Sequence, residues 1–155
     1  ICLRGPKITA GYWSDETKTA AAFHPGGWLR TGDVGHVDAD GFLYLTDRMK
    51  DMIVSGGENI ASSEVERVIY EMPEVLEAAV IGVPDPQWGE VPVAVIAARP
   101  GETVTLEALQ AHCRRQLAGF KVPKRLALKD ALPRNPSGKV LKRVLRDQLL
   151  KEAAT

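Results

Sequence analysis

Apolar positions change their spacing several times along the chain, and each change predicts an element. Val65, Val68, Ile69 and Met72 fall at i, i+3, i+4 and i+7, one stripe of a helix. Ser63 with Glu66 three residues on is a capping-box signature for its start, and Pro73 stops it. Residues 75–83 and 91–98 are runs rich in β-branched side chains, read as strands joined by a turn over 84–89. Pro92 predicts that the second run is a strand beginning or an edge, because proline has no N–H to give a ladder. Leu106, Leu109 and Cys113 predict a helix over 106–117, with Gly119 as its stop. A short strand over 125–129, a loop over 133–138 and an amphipathic helix over 139–151 complete the chain.

Before residue 52 the pattern is different. Residues 34–37 and 42–45 flank Asp38-Ala39-Asp40-Gly41, a hairpin signal in which Gly41 supplies positive φ. A charged run, Asp47-Arg48-Met49-Lys50-Asp51, separates this from Met52-Ile53-Val54, a strand that ends in Ser55-Gly56-Gly57. Strands interspersed with helices over about a hundred residues predict an α+β domain, a mixed sheet flanked by helices. The first part has too little apolar surface to fold alone and is expected to belong to a larger body. A chain opening Ile1-Cys2-Leu3 in mid-strand, without an initiator Met, is likewise expected to be a segment of a longer one.

Composition narrows this picture little. The 155 residues are 45% hydrophobic, enough for one domain with its own core. Two cysteines, Cys2 and Cys113, suit a reducing, cytoplasmic compartment. His24, His36 and His112 stand apart from any metal-ligand spacing, so no metal site is expected. No run of about eighteen apolar residues exists, so no transmembrane segment is predicted. Charge changes the picture more. Residues 121–151 carry a net +8, whereas the first 120 carry −7. A basic end points either to an anionic ligand or to a solvated helix face, and leaves open a non-catalytic basic module that binds nucleic acid. The basic residues are not interleaved with aromatics for stacking on bases, which argues against that module.

Three stretches carry candidate chemistry. In Thr31-Gly32-Asp33 a carboxylate follows a glycine turn and can accept from two vicinal hydroxyls, or simply satisfy its own turn. In Ser55-Gly56-Gly57-Glu58-Asn59-Ile60 paired glycines let a backbone approach a ligand, or make an ordinary hairpin. In Pro133-Arg134-Asn135-Pro136-Ser137-Gly138-Lys139 a lysine follows glycine on a loop, where its ammonium can meet a phosphate oxygen. It is not a P-loop, since Val140 stands where a magnesium-binding hydroxyl would be.

In this order, with Arg4-Gly5-Pro6, Gly11-Tyr12-Trp13, Asp47-Arg48-Met49-Lys50, Pro84-Asp85 and Trp88-Gly89-Glu90, these stretches resemble the C-terminal signature motifs of the adenylate-forming superfamily. That superfamily includes acyl-CoA synthetases, peptide-synthetase adenylation domains and luciferases. The resemblance implies an acid–thiol ligase that uses ATP, with Mg2+, to make an acyl-adenylate and then CoA to make a thioester. It implies that Lys139 is catalytic in adenylation, that Asp33 and Arg48 bind the nucleotide, and that Lys50 is a hinge. Gly56 and Gly57 would line the pantetheine channel, with Trp88 beside it. The implied domains are 1–47, the end of a large N-terminal domain, then the hinge at 48–51, then a mobile C-terminal domain at 52–155.

Gly-Gly-Glu-Asn-Ile is similar to the acyl- or aryl-CoA ligase version of its loop, which makes a fatty-acid- or aryl-acid-CoA ligase the leading expectation. A luciferase-like or peptide-synthetase branch is the alternative. Asp47 and Lys50 depart from the Gly and Asp that many relatives carry there. The family's phosphate loop and acid pocket lie upstream of this segment. The implied partners are therefore the missing N-terminal domain, a carboxylic acid, ATP and CoA, and the segment alone is expected to be inactive. Which acid is used is not legible here.

Overall fold

The computed structural model describes residues 1–153, so the predicted boundary at 155 lies outside the described residues. The chain divides into two compact units, Ile1–Lys50 and Asp51–Thr155.

In the first unit, β1 (Cys2–Leu3), β2 (Phe23–His24) and β3 (Trp28–Arg30) form an antiparallel sheet in the order β1-β3-β2, with α1 (Glu16–Ala22) leading into β2. Asp15 caps α1 by accepting from the Lys18 amide at 2.8 Å. The predicted hairpin is β4 (Asp33–Val37) with β5 (Leu43–Arg48). Asp38 closes its turn by accepting from the amides of Phe42 at 2.8 Å and Asp40 at 3.0 Å, and Gly41 takes φ 86°. The bond from Phe42, above all, holds the Asp38 carboxyl below its usual range. The first residue of the expected hinge, Arg48, is the last of a strand. β5 runs through it because Arg48 pairs in register with Asp33, and only a single 3-10 turn, Met49–Asp51, follows. No described residue of this unit is buried; Trp13 is 97% exposed, and Phe42 and Leu45 also face outward.

Among the described residues, all the buried ones lie in the second unit. Its mixed sheet has five strands: β6 (Ile53–Ser55), β7 (Glu58–Ile60), β8 (Val75–Asp85), β9 (Gly89–Ala98) and β10 (Arg125–Leu128). β9 is flanked by β8, antiparallel, and β10, parallel, and meets β6 at Ser55 and Gly89. Period-two alternation splits β8 and β9 between two faces. Ala78, Val80, Ala94 and Ile96 pack under α2 (Ser62–Ile69) and α3 (Leu106–Cys113). Ala79, Ile81, Val83, Val93 and Val95 pack under Leu145 and Leu149 of α4 (Lys142–Ala153). Both faces are covered, which is why these strands read as unbroken apolar runs.

Three further expectations change. Pro92 lies inside the central strand, fully buried. It is tolerated because it stands one residue before the β10 ladder opens at Val93, where Lys124 donates to its carbonyl at 2.8 Å. α3 stops at Cys113, four residues early, as i to i−3 bonds from Arg115 to His112 and from Gln116 to Cys113 tighten the chain. Gly119 opens a 3-10 turn instead of ending the helix. Burial pushes the Cys113 thiol up, making it an unreactive core side chain. Finally, α4 begins at Lys142, which leaves Lys139 on the loop.

Candidate functional site

In the first unit the two predicted nucleotide-binding residues meet. Arg48 Nε donates to Asp33 Oδ1 at 3.0 Å across the β4–β5 ladder. Thr31 Oγ1 accepts from the Asp33 amide at 3.0 Å, and Gly32, at φ 75°, turns its carbonyl to the Met49 amide at 2.8 Å. The Asp33 carboxylate is half-buried and has Oδ1 committed to arginine. Lys50 is exposed in the 3-10 turn, at the last position of the first unit.

In the second unit, Gly56 and Gly57 are the two-residue tip of the β6–β7 hairpin, between paired Ser55 and Glu58. Both have positive φ, 58° and 85°, as a type I′ turn requires. They differ in surroundings. A Cβ on Gly56 would stand 2.8 Å from the Trp88 ring, whereas one on Gly57 would meet nothing within 4 Å. Trp88 is brought there by the β8–β9 turn, where Asp85 Oδ1 accepts from the amides of Gln87 and Trp88, and the Gly56 amide donates to the Trp88 carbonyl at 2.8 Å. Trp88 thus packs on the hairpin with one side while remaining 47% exposed on the other.

Sequence reasoning passed over the groups that support this hairpin. Glu90 Oε2 accepts from the Val54 amide at 3.2 Å, and its Oε1 accepts from Arg146 of α4 at 2.6 Å. Gly82 makes room for that carboxylate, since a Cβ there would lie 2.7 Å from it. Glu66, half of the expected capping box, points to the sheet: it accepts from the Val80 amide at 2.7 Å and pairs with Lys142 at 2.6 Å.

Lys139 sits at the end of a loop closed by Asn135 N–H to Lys139 C=O at 2.9 Å and Leu141 N–H to Pro133 C=O at 2.8 Å. Its ammonium is exposed and has no hydrogen bond or ion pair among the described residues. Six of the ten cations between residues 121 and 151 are paired instead. Lys121, Arg125, Lys129, Arg134, Lys142 and Arg146 pair with Glu64, Asp85, Glu152, Glu77, Glu66 and Glu90 respectively. Half of the ten cations that suggested a nucleic-acid surface are therefore paired with carboxylates of residues 64–90, and Lys129 pairs with Glu152. An ammonium left bare among paired neighbours can stabilise negative charge that develops on a ligand.

Among the described residues, no three His, Cys, Asp or Glu side chains gather to hold a metal ion, and no helix is long and apolar enough to cross a membrane.

Residues 64–139 match the family model described as the AMP-binding enzyme C-terminal domain. The chain belongs to the adenylate-forming, AMP-binding ligase superfamily and carries its C-terminal portion. It is 46% identical over 155 residues to 2-succinylbenzoate–CoA ligase of Geobacillus kaustophilus, covering 100% of this chain and 31% of that protein. It is 48% identical over 148 residues to the long-chain-fatty-acid–CoA ligase FadD13 of Mycobacterium tuberculosis, covering 96% of this chain and 29% of that one. Among solved structures, o-succinylbenzoate CoA synthetase (MenE) of Bacillus subtilis, in complex with the acyl-adenylate intermediate OSB-AMP, superposes with a TM-score of 0.87 at 42% identity. The match covers 94% of this chain and 30% of that one. The chain thus spans 29–31% of the length of these curated relatives.

Proposed function

We propose that this chain is the C-terminal part of an ATP-dependent acyl-CoA synthetase, a fatty-acid- or aryl-acid-CoA ligase whose larger N-terminal domain holds the triphosphate and the acid. In the first half-reaction a carboxylate oxygen of the acid attacks the α-phosphorus of ATP, and pyrophosphate leaves. In the second, the CoA thiol attacks the carbonyl carbon of the acyl-adenylate, and AMP leaves. The observation that carries this reading is the unpaired, exposed ammonium of Lys139 on a loop tied to the sheet. Placed against the attacked phosphate, it offsets charge that builds on the oxygens in the transition state, when that charge is largest.

The other residues take roles around it. Asp33, oriented by Arg48, accepts from the ribose hydroxyls. Gly56 and Gly57 face the pantetheine arm, and the open side of Gly57 suits close approach of an extended thiol chain. Trp88 keeps that hairpin tip in place. Residues 1–47 end the large domain, 48–51 form the hinge, and 52–155 turn about Lys50 so that Lys139 and then the glycine pair reach the same bound substrate. The division of the chain between Lys50 and Asp51 supports this pivot. In this reading Mg2+ accompanies ATP and takes no ligand set from the described residues. A cytoplasmic location goes with it.

The test is a split of half-reactions in the full-length protein. Lys139→Ala should abolish ATP–pyrophosphate exchange while leaving thioester formation from supplied acyl-adenylate and CoA within a few-fold of normal. Equal loss of both would overturn the two-position assignment. The present chain alone should show no exchange with any acid.

A further inference from the structure

The peptide unit between Gly138 and Lys139 is gripped from both sides. Its carbonyl accepts from Arg134 Nη1 at 2.6 Å, and its N–H donates to Asn135 Oδ1 at 2.8 Å. Both contacts are exposed to solvent, and each is braced by further bonds. Arg134 also directs Nε, at 2.9 Å, and Nη2 to Glu77 Oε1, while Glu77 Oε2 accepts from the Leu132 amide at 3.0 Å. Glu77 lies in β8, 57 residues before Arg134, with its side chain 21% exposed. The Asn135 amide oxygen is in turn fixed by the Ser137 hydroxyl, which donates to it at 2.8 Å.

A peptide plane pinned at both O and N–H cannot tilt, and Cα of Lys139 is part of that plane. Yet the Lys139 side chain beyond it has no partner among the described residues. Such an arrangement is costly for a surface loop that does nothing. It orders five residues, 134–138, and leaves unordered only the four methylenes and ammonium that follow.

We propose that Arg134 and Asn135 are positioning residues for Lys139, with Arg134 carrying the rigidity of the sheet, through Glu77, to the peptide that bears the lysine. The inference rests on the role given to Lys139 above. Arginine suits the task because its planar fork reaches Glu77 and the Gly138 carbonyl at once; a lysine, with its donors at one point, can satisfy one of them. The effect belongs to adenylation alone, since the lysine is withdrawn for the thioester step. A displacement of about 1 Å at a catalytic group costs on the order of a hundredfold in rate.

The experiment compares Arg134→Gln, Arg134→Lys, Asn135→Ala and Lys139→Ala in the full-length protein. Dodecanoate, ferulate and 2-succinylbenzoate serve as probe acids, and work proceeds with whichever exchanges fastest. Arg134→Gln and Asn135→Ala should lower kcat for ATP–pyrophosphate exchange roughly 10- to 100-fold, with KM for ATP little changed. Thioester formation from synthetic acyl-adenylate should stay within about twofold. Arg134→Lys should recover thermal stability without recovering the exchange rate. In the 155-residue chain, Arg134→Gln should speed hydrogen exchange at the Lys139 amide at least tenfold while the amides of β8 and β9 stay protected. Parallel loss of both half-reactions, or unchanged exchange of the Lys139 amide, overturns the proposal. Normal adenylation in Arg134→Gln alongside its loss in Lys139→Ala also overturns it and leaves the functional reading intact. Normal adenylation in Lys139→Ala removes both.

Discussion

The ring of Trp88 lies over Gly56 so closely that a Cβ there would stand 2.8 Å from it. The two glycines of the hairpin tip are consequently not equivalent. Gly56→Ala must both adopt φ 58° and displace the indole, and should lower the stability of the second unit by about 2–4 kcal/mol. Gly57→Ala meets only the backbone strain and should cost about 1 kcal/mol. Urea unfolding of the two variants, followed through the fluorescence of Trp88 in chains whose Trp13 and Trp28 are replaced by Phe, checks the difference. Equal losses would mean that the indole does not hold this hairpin.

Lys142 and Glu66 form an ion pair in which each side chain is 18% exposed, and Lys142 also donates to Ser62 at 2.7 Å. Removing one partner strands the other in a poorly solvated site. Lys142→Met should therefore destabilise the fold by about 2–4 kcal/mol, and Glu66→Gln with Lys142→Met should recover a good part of it. A double-mutant cycle on unfolding midpoints measures the coupling; a value near zero would contradict the pair.

Acid should loosen the loop that bears Lys139. The Glu77 carboxyl is held below its usual value by the Leu132 amide first and by Arg134 second. Its folded pKa is lower than its unfolded one, so the folded state binds fewer protons. Its contribution is complete above the ordinary glutamate value of 4.5 and is lost as pH falls through the depressed one. Stability curves between pH 7 and pH 3 should therefore drop less steeply below pH 4.5 in Glu77→Gln than in the parent chain. Titration of the Glu77 side chain by NMR should show its midpoint below that of an exposed glutamate.

Asp33 and Arg48 should act on nucleotide and not on acid. In the full-length protein, Asp33→Asn is expected to raise KM for ATP about 10- to 100-fold, the worth of hydrogen bonds to a charged acceptor. Arg48→Ala should give a smaller rise by releasing the carboxylate it orients. KM for the acid should stay constant. A shift in the acid's KM of the same size would remove the ribose role.

What the sequence revealed follows from how local each signal is. β8, β9 and α2 were legible because a period of 2 or 3.6 is written within a dozen residues. That β9 would be the central strand was not legible, since pairing with β10 and β6 depends on partners 30 or more residues away. Pro92 pointed to an edge because its tolerance depends on where the neighbouring ladder opens. The paired glycines and Lys139 were candidates by residue type alone, and a role for them came only from the family resemblance of the whole set of motifs. Glu77, Glu90 and Glu66 were not candidates, because each bonds a backbone amide far along the chain and no period records such a bond. Arg134 and Asn135 stood inside a quoted motif, and only the geometry of the 138–139 peptide shows a task for them.

Five of the cations in residues 121–151 pair with carboxylates that come much earlier in the chain, and this has a consequence for the order of synthesis. A ribosome delivers Glu64, Glu66, Glu77, Asp85 and Glu90 before any of Lys121, Arg125, Arg134, Lys142 or Arg146 exists. At about 5–20 residues per second, the nascent chain spends several seconds with a bare apolar sheet face that only α4 will cover. Of those carboxylates, Glu66 and Glu90 later pair with Lys142 and Arg146 of α4 and lack these partners until then. Net negative charge on residues 1–120 disfavours association of like chains at that stage, and the basic final segment brings the whole chain to neutrality as it covers the sheet.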